Sequence, residues 1–295
     1  MLDNKFLEAL AAVIEEGGFD KASLKLNLSQ PAVSQRIRTL EEQVGQVLVV
    51  RSTPPEPTSA GRELIKHLRK VRLLELELEE TMQPNARAGF ITLPVGVNAD
   101  SLATWFLEAV EDFVRERGVL LDLYVDDENQ THELLKKGDV VGCIGTGLRT
   151  LKGCRSDYLG TIDYICVCRP EFRQEWFSKG FTQAAVAKAP AAVFNRKDET
   201  QSQMLAQVFP GARINHPIFY VPSSEGFVEV VLRGLAYGMT PEPQAREHLE
   251  SGRLVELLGQ ARVPVPLYWQ AWDLDSSLLK DLGRALIRSC KNLSG

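Results

Sequence analysis

Residues 28–44 read LSQPAVSQRIRTLEEQV, and this run decides the fold of the first part of the chain. Ser29 is a good N-cap, and Pro31 is tolerated in a first helical turn because its missing N–H would be unpaired there. Apolar residues then recur at spacings of 4, 3 and 4, namely Val33, Ile37, Leu40 and Val44. The run therefore predicts a helix over residues 30–44 with one buried face.

The other face of this predicted helix is polar and carries no acid in its first turns. The side chains expected to project outwards are Gln30, Ser34, Gln35 and Arg38, with Pro31 and Ala32 at the tip. Gln pairs with adenine, Arg pairs with guanine or phosphate, and small residues at the tip permit entry into a major groove. An ordinary solvated amphipathic helix is the alternative, but the short turn into a Ser-capped, acid-free helix favours a DNA reader.

The segments on either side complete a winged helix-turn-helix. Residues 2–16 predict one helix and residues 20–26 a second, short one. After Gly45, residues 46–51 predict a strand and residues 52–57 a loop, which together form a wing with Arg51 placed for a phosphate. The first expected domain therefore covers residues 1–58.

A long helix follows, capped by Thr58 and predicted over residues 59–81. Its apolar residues recur at helical spacing: Leu64, Ile65, Leu68, Val71, Leu74 and Leu78. A helix of this length favours self-pairing in a dimer, and packing on its own domain is the alternative. Residues 83–89 then predict a linker, so residues 59–89 are expected to form a dimerisation helix and hinge.

Charge is distributed unevenly along the chain. The net charge is −5, yet residues 19–72 hold ten Lys and Arg against five acids. This asymmetry suits a polyanion-binding module attached to a neutral or acidic domain.

Other classes of protein have little support. The 295 residues suggest two domains, and no apolar run reaches the roughly 20 residues of a membrane span or forms a leader at the N-terminus. We therefore expect a cytoplasmic protein with no membrane partner. The chain has no motif of a hydrolase, metalloprotease or nucleotide-binding enzyme, so we expect no enzyme and no cofactor. Cys166 and Cys168 lack a second ligand pair and are read as buried free thiols rather than a metal or redox site.

The N-terminal module resembles the LysR-type transcriptional regulators. The residues that carry the resemblance are Gly18 to Ser23, Leu28 to Ile37, Leu40-Glu41, Gly45, Thr58 and Ala60-Gly61. The resemblance implies a dimeric or tetrameric regulator of double-stranded DNA, with RNA polymerase as a further partner of an activator. It implies contacts to DNA from Ser29, Gln30, Pro31, Ala32, Ser34, Gln35, Arg38 and Arg51. Glu56 departs from the basic residue common in such wings.

From residue 90 the pattern alternates strands and helices, which implies an α/β fold with parallel sheets. Strands are predicted over residues 90–97, 119–125, 139–145, 162–168, 190–194 and 267–272. Helices are predicted over residues 101–117, 131–137, 199–208, 224–233 and 276–292. The last strand and helix are expected to return to the first sheet, which gives two lobes joined by two crossings. Lobe I then covers about 90–161 and 267–295, and lobe II about 162–266.

Three polar stretches fall where strands end, beside the cleft expected between the lobes. Residues 98–101 begin a helix whose N–H groups, with the Ser101 hydroxyl, suit a carboxylate. Residues 125–129 concentrate acids that suit a cation, and residues 222–225 offer hydroxyl and amide donors. Each stretch alone is equally explained by capping and loop solvation. Together they predict a site for an amino acid with a second positive charge.

This second part resembles the periplasmic-binding-protein-like effector domain of LysR-type regulators, in the subgroup that controls basic-amino-acid export. The resemblance rests on residues 97–106, Asp127-Glu128 with Thr131, residues 138–142, 223–227 and 267–270. It implies lysine or arginine as the effector and an exporter gene as the target. A LysR-type regulator with another effector, or with none, is the alternative. It implies that the effector contacts Asp100, Ser101, Leu102, Thr104, Glu128, Gly145, Thr146, Ser223, Ser224 and Glu225.

Overall fold

The structure is a computed structural model that describes residues 3–82, 90–126, 128–147 and 150–290. Its elements in chain order are α1 (Asn4–Glu15), α2 (Phe19–Lys25), α3 (Gln30–Val44), β1 (Val49–Val50), β2 (Glu56–Pro57), α4 (Ser59–Met82), β3 (Ile91–Asn98), α5 (Ala99–Thr104), α6 (Phe106–Arg117), β4 (Val119–Asp126), α7 (Glu128–Lys137), β5 (Gly142–Gly145), β6 (Cys154–Cys168), α8 (Pro170–Trp176), α9 (Gln183–Val186), β7 (Ala191–Val193), α10 (Thr200–Val208), β8 (Ile218–Tyr220), α11 (Ser224–Leu232), β9 (Tyr237–Pro241), α12 (Glu242–Glu250), β10 (Val255–Glu256), β11 (Val263–Trp272) and α13 (Ser277–Cys290). The predicted linker, residues 83–89, lies outside the described residues, as do the ends of the first and last predicted helices.

Helices α1, α2 and α3 pack around one small apolar core, as the sequence predicts. The Ser29 hydroxyl caps α3 by accepting a hydrogen bond from Ala32 N at 3.4 Å. Gly45, with a φ of 72°, ends α3 in the left-handed conformation that favours glycine. Val33, Ile37 and Leu40 are buried, whereas Val44 is half-buried. The predicted helix over residues 30–44 is confirmed to the residue.

The wing is smaller than predicted. The strand expected over residues 46–51 is wrong except at β1, and the expected loop contains β2, its antiparallel partner. Val47 and Leu48 lie outside the strand because their backbones bond elsewhere: Thr58 Oγ1 donates to Val47 O at 2.8 Å, and Leu48 N donates to Glu41 Oε1 at 2.8 Å. Gly61 completes this corner, since a Cβ there would lie 2.1 Å from Leu48 O. Thr58 caps α4, as predicted, by accepting from Gly61 N at 3.1 Å.

The long helix α4 contributes to two cores. Ile65 and Leu68 belong to the core of the helix-turn-helix, while Leu73 belongs to the core of the α/β domain. Leu74 and Leu78, in contrast, are exposed. One face of α4 thus packs within its own chain, and another is left without an apolar partner among the described residues.

The α/β domain is one continuous hydrogen-bonded sheet in the order β4-β3-β5-β11-β6-β9-β7-β8, with β10 added to β6. The outer strands are parallel, as predicted: β4, β3 and β5 in one lobe, and β8, β7 and β9 in the other. The expectation of purely parallel sheets is wrong in the centre, where β11 runs antiparallel to β5 and β6, and β6 antiparallel to β9. The cause is that β6 and β11 each cross between the lobes, in opposite directions.

The return of the chain to the first lobe is confirmed. β11 pairs with β5, and α13 packs against α6. The two crossing strands form a long ladder whose register shifts between Leu267 and Tyr268.

In the α/β domain, β5, α7 and β11 begin three or four residues away from their predicted starts. Two further elements differ more from their predicted extent. The helix predicted over residues 101–117 is two helices, because the buried Trp105 leaves helical dihedrals (φ −121°, ψ −20°) and packs edge-on against Phe106. Strand β6 begins at Cys154 rather than near residue 162. Its first part was not predicted because Arg155 and Asp157 interrupt the apolar pattern expected of a strand. Besides β2, the elements that the sequence did not predict are α8, α9, β8, β9, α12 and β10.

The five cysteines are free thiols within the described residues. Cys166 and Cys168 are both buried in the larger core, while Ile165 and Val167 face a separate cluster on the other side of β6. Burial raises the pKa of Cys168 to about 12, which disfavours a reactive thiolate there. None of the helices described in the structure is long and apolar enough to cross a membrane.

Candidate functional site

The carboxyl ends of the parallel strands from both lobes face each other across a cleft of about 490 Å³. Lobe I contributes the ends of β3 and β5, and lobe II contributes the segments that follow β7, β8 and β9. Strands β6 and β11 lie between the two sets. The lining residues are Asn98, Ala99, Asp100, Thr146, Tyr164, Phe194, Asn195, Lys197, Asp198, Glu199, Thr200, Gln203, Ser224, Phe227, Met239, Pro241, Gln244, Pro264, Val265 and Pro266. This is the position at which α/β sheets bind ligands.

Asp100 joins the two lobes. It lies in the first turn of α5 in lobe I, and its Oδ1 accepts a hydrogen bond from Ser224 Oγ, at the start of α11 in lobe II, at 2.5 Å. Its Oδ2 accepts a hydrogen bond from the Tyr164 hydroxyl of β6. The side-chain amide oxygen of Gln244 lies 3.1 Å from Ser224 Oγ. The Asp100 carboxylate therefore binds groups from two other elements, α11 and β6, and Gln244 of α12 joins them through Ser224.

The cleft has an acidic character. Burial raises the pKa of Asp100, and the hydrogen bonds from Ser224 and Tyr164 offset only part of that rise. The charges of Asp198 and Glu225 raise the pKa of Asp100 further. Asp198 accepts hydrogen bonds from the backbone N–H groups of Phe194 and Thr200 at 3.1 and 2.9 Å, so it also shapes the loop after β7. A cation placed beside Asp100 would relieve the cost of ionising it.

Asn98 offers a further acceptor on the cleft wall. Its side chain is 5 % exposed, and its Oδ1 has no hydrogen-bond partner within the described part of the chain. Buried polar atoms are normally paired, so an orphaned acceptor that lines a cleft indicates a place for a donor on a ligand. The Ser101 hydroxyl is also buried and without a partner among the described residues.

The structure brings three of the predicted effector residues to the cleft wall, namely Asp100, Thr146 and Ser224. The others, apart from Glu128, do not line it. Ser101 is fully buried, and Leu102 and Gly145 are half-buried without lining the cleft. Thr104 donates a hydrogen bond to Asp100 O at 2.6 Å, within its own helix. Glu128 begins α7, but its side chain lies outside the described residues.

Ser223 and Glu225 also stand outside the lining. Ser223 Oγ caps α11 by accepting from Gly226 N at 3.1 Å, and it donates to Glu225 Oε2 at 3.4 Å. Both side chains are exposed. The hydroxyl between them in the chain, that of Ser224, is the one that reaches Asp100.

Sequence reasoning missed Tyr164, Gln244 and the acids after β7. Tyr164 sits within an apolar strand and looks like a core residue. Asp198 and Glu199 follow a strand that the sequence did predict, so the rule that ligands bind at carboxyl ends would have found them. Gln244 carries no such signal, because its helix α12 was not predicted.

The predicted DNA-contacting residues share one surface of the helix-turn-helix. Ser29, Gln30, Pro31, Gln35, Arg38 and Arg51 are exposed, and Ala32 and Ser34 are half-buried. Gln35 Nε2 donates only a long hydrogen bond, 3.4 Å to Thr39 Oγ1, so its amide is available at little cost. The first turns of α3 thus present polar groups to solvent, as a groove-reading helix requires.

Fold and site together define a bacterial regulator with a DNA-binding head and an effector domain. The chain belongs to the LysR family: the model described as "Bacterial regulatory helix-turn-helix protein, lysR family" matches residues 5–62, and the "LysR substrate binding domain" matches residues 91–291. It is a DNA-binding transcriptional regulator and not an enzyme. Regulators of this family bind DNA and form oligomers.

Within the family, the chain is similar to proteins called ArgP. It is 44% identical over 290 residues to the HTH-type transcriptional regulator ArgP of Pseudomonas aeruginosa, covering 97% of this chain and 95% of that one. The crystal structure of ArgP from Mycobacterium tuberculosis matches with a TM-score of 0.91 and 39% identity, over 100% and 99% of the two chains. Full-length LysG from Corynebacterium glutamicum, with bound effector Arg, matches with a TM-score of 0.83 and 34% identity over all of both chains.

Proposed function

We propose that this regulator responds to a basic amino acid, arginine or lysine, bound in the cleft between its lobes. The observation that carries the proposal is Asp100, an acid held between the lobes by Ser224 and Tyr164, with Asp198 and Glu199 lining the same cleft. Lys197 is the single basic residue among the described lining residues. A cationic ligand restores the charge balance of such a site, whereas an anionic one would add to its repulsion.

The relatives support the same ligand class. LysG, which shares 34% of its residues with this chain over its full length, holds arginine as its effector. The cleft volume of about 490 Å³ falls within the range of about 300–1,000 Å³ that is usual for small-molecule sites. The cleft therefore has room for a free amino acid. We propose Asp100, Thr146 and Ser224, together with Asn98 and Tyr164, as the inner contacts of that amino acid. The remaining predicted residues with described positions, Ser101, Leu102, Thr104, Gly145, Ser223 and Glu225, support these contacts from beside the cleft. Glu128 remains a proposed effector contact.

The DNA-binding half of the proposal rests on α3. The start of α3 enters a major groove, with Ser29, Gln30, Pro31, Ala32, Ser34 and Gln35 nearest the bases. Arg38 of α3 and Arg51, which follows β1, contact phosphates. The target is the gene of a basic-amino-acid exporter, in keeping with the subgroup that the sequence resembles. RNA polymerase is a further partner where the regulator activates, and the cytoplasm, where DNA lies within reach, is its location.

The domain limits and the oligomer follow from α4. We propose a head of residues 1–58, a helix and hinge of residues 59–89, and an effector domain of residues 90–295, whose lobes meet near the register shift at Leu267 and Tyr268. The exposed residues Leu74, Leu78 and Met82 recur every fourth position on α4 and are 39%, 58% and 73% exposed. An apolar stripe of this kind pairs with the same helix of a second copy, which gives a homodimer or, as a dimer of dimers, a homotetramer.

Calorimetric titration with L-arginine and L-lysine tests the proposal. L-Citrulline, which keeps the shape of arginine without its charge, is the control ligand, and L-leucine tests for unspecific binding. We expect saturable binding of arginine or lysine that is lost in Asp100→Asn and kept in Asp275→Asn, which alters an exposed acid paired with Lys280. Equal binding of citrulline, or unchanged binding by Asp100→Asn, would contradict the proposal. No binding of any of the four would favour a different effector or none.

A further inference from the structure

Arg69 lies where three parts of the molecule meet. It belongs to α4, and its guanidinium contacts both α1 of the DNA-binding head and the turn between α7 and β5 in lobe I. We infer that Arg69 is the positioning residue that couples the effector cleft to the DNA-binding head. The inference rests on the proposed function, because it concerns how that cleft acts on the head.

The contacts of Arg69 divide between its two terminal nitrogens. Nη1 donates to Gly138 O at 2.8 Å and to Asp139 Oδ1 at 2.8 Å. Nη2 lies 3.3 Å from Glu15 Oε1, at the end of α1. The planar guanidinium fixes the angle between these partners, which the point charge of a lysine would not do. The side chains of Arg69, Glu15 and Asp139 are 24%, 30% and 37% exposed, so water screens the ion pairs only in part.

The helix that carries Arg69 is held on both sides of it. Towards the N-terminus, Leu68 is buried in the core of the head, and towards the C-terminus, Leu73 is buried in the core of the α/β domain. Further along α4, the Glu77 carboxylate accepts hydrogen bonds from Ser277 N at 3.1 Å and Leu278 N at 2.9 Å, and so caps α13 of lobe I. A displacement of lobe I therefore acts on α4 at several places. Among the described contacts of α4 with lobe I, Arg69 is the residue whose side chain also bonds α1.

The close approach of α4 to lobe I depends on Gly138. This residue has a φ of +79°, and a Cβ on it would lie 2.7 Å from Lys66 Cγ. Lys66 Nζ in turn donates to Lys136 O at 3.3 Å. Glycine is thus required at the turn for two reasons, its backbone conformation and the contact with α4. Gly138 therefore allows α4 to lie close to the turn between α7 and β5.

Strand β5 connects this junction to the cleft. It begins just after the turn that carries Asp139, and Thr146, which directly follows it, lines the cleft. β5 also pairs with β3, whose last residue is Asn98 of the cleft wall. A ligand that shifts the lobe I wall of the cleft therefore also moves β5, whose N-terminal end lies beside the partners of Arg69. In one arrangement Arg69 keeps its hydrogen bonds to both the head and lobe I, and in the other it loses one of them. The angle of the head relative to lobe I depends on which arrangement is present.

The test compares Arg69→Gln with the wild-type protein, with Arg115→Gln as the matched control because Arg115 forms an exposed ion pair with Glu111 on α6. The probe is a duplex that the wild-type protein selects from a random library. Its affinity is measured without L-arginine and with saturating L-arginine, and the Kd of L-arginine is measured with and without the duplex. Urea unfolding checks that each variant folds.

For the wild-type and Arg115→Gln proteins we expect L-arginine to change the DNA affinity at least about fivefold, and the duplex to change the Kd of L-arginine by the same factor, as linkage requires. In Arg69→Gln both ratios fall within about twofold of one, while the Kd of L-arginine without DNA is unchanged. Glu15→Gln and Asp139→Asn each weaken the coupling, and combining them reproduces Arg69→Gln. A full arginine response in Arg69→Gln overturns the inference alone. A wild-type protein that ignores L-arginine overturns the proposed function and this inference with it.

Discussion

Leu68 and Leu73 lie little more than one helical turn apart on α4, yet they are buried in different hydrophobic cores. The helix therefore cannot leave lobe I without exposing Leu73 to water. Docking of α4 is thus stabilised by apolar burial in addition to the polar contacts of Arg69 and Glu77.

Truncation of Leu73 tests this docking. We expect Leu73→Ala to destabilise the protein by about 2–4 kcal/mol, because it removes buried methyl groups and leaves a cavity. Leu76→Ala on the same helix is the control, since Leu76 is 39% exposed and Leu73 only 4%. Urea unfolding measures both free energies, and equal losses would show that α4 does not pack against lobe I in solution.

Binding of arginine should depend on pH through Asp100. Burial raises the pKa of this carboxyl above its ordinary value of 3.8. The ligand-free fold therefore favours the neutral acid, and the stability that this group contributes is fully present below pH 3.8 and is lost as the pH rises through the raised value. A cationic ligand needs the ionised form, so its affinity should rise with pH over the same interval and then level off, with release of a proton on binding. Titrations in buffers of different ionisation enthalpy measure that proton, and a heat of binding that does not change with the buffer would contradict the role of Asp100.

Asn98→Ala separates binding from stability. Because Asn98 Oδ1 has no partner in the described structure, its removal should cost the ligand-free protein little. Binding of L-arginine should weaken by about 1.5–3 kcal/mol, the range of one hydrogen bond to a charged group. Thr240→Val is the control, since Thr240 also has a buried hydroxyl without a described partner but does not line the cleft. Calorimetry and thermal unfolding on both variants decide, and similar affinity losses in the two would remove Asn98 from the site.

Two substitutions on α3 should have different effects on DNA binding. Gln30→Ala removes a base contact, so we expect a loss of about 1–3 kcal/mol on the selected duplex and relaxed preference at one position. Arg38→Ala removes a phosphate contact, so binding should weaken on all sequences and the salt slope should fall by about one. Fluorescence anisotropy over a series of salt concentrations measures both. Gln43→Ala, at the far end of α3, should change neither quantity, and the idea fails if Gln30→Ala behaves in the same way.

Leu78→Glu should prevent association through α4. A charge placed in a stripe that buries Leu78 against a second copy is costly, since it would be desolvated without a partner. Analytical ultracentrifugation should show smaller species for this variant than for Leu235→Glu, which alters an exposed leucine of lobe II. An unchanged sedimentation profile would place the dimer contact elsewhere.

The sequence predicted the head more closely than the effector domain because its signals are local. Ser29, Pro31 and Gly45 mark the limits of α3 by capping chemistry, and each limit agrees with the structure. The break at Trp105 had no such signal, since an aromatic residue at helical spacing looks like part of one helix. Only the packing of α5 at the cleft and of α6 on α13 separates the two.

The candidate cleft was predicted in position and only partly in composition. Asp100 was found because it follows a predicted strand, and Ser224 was found because it begins a predicted helix. Tyr164 meets Asp100 only after the chain has crossed from one lobe to the other, and no spacing in the sequence encodes that meeting. Of the neighbours Ser223, Ser224 and Glu225, Ser224 is the one whose side chain reaches Asp100, and the geometry of α11 determines this.

The crossing ladder of β6 and β11 constrains how the cleft moves. The two strands stay hydrogen-bonded from Val263 paired with Tyr164 to Trp272 paired with Cys154. The lobes are therefore joined by a continuous ladder and not by a flexible linker. Opening or closing must bend a twisted ribbon, and the shift of register at Leu267 and Tyr268 is where bending breaks the fewest hydrogen bonds. An effector that closes the cleft therefore strains the β6–β11 ladder. When the effector leaves, the ladder returns to its relaxed shape.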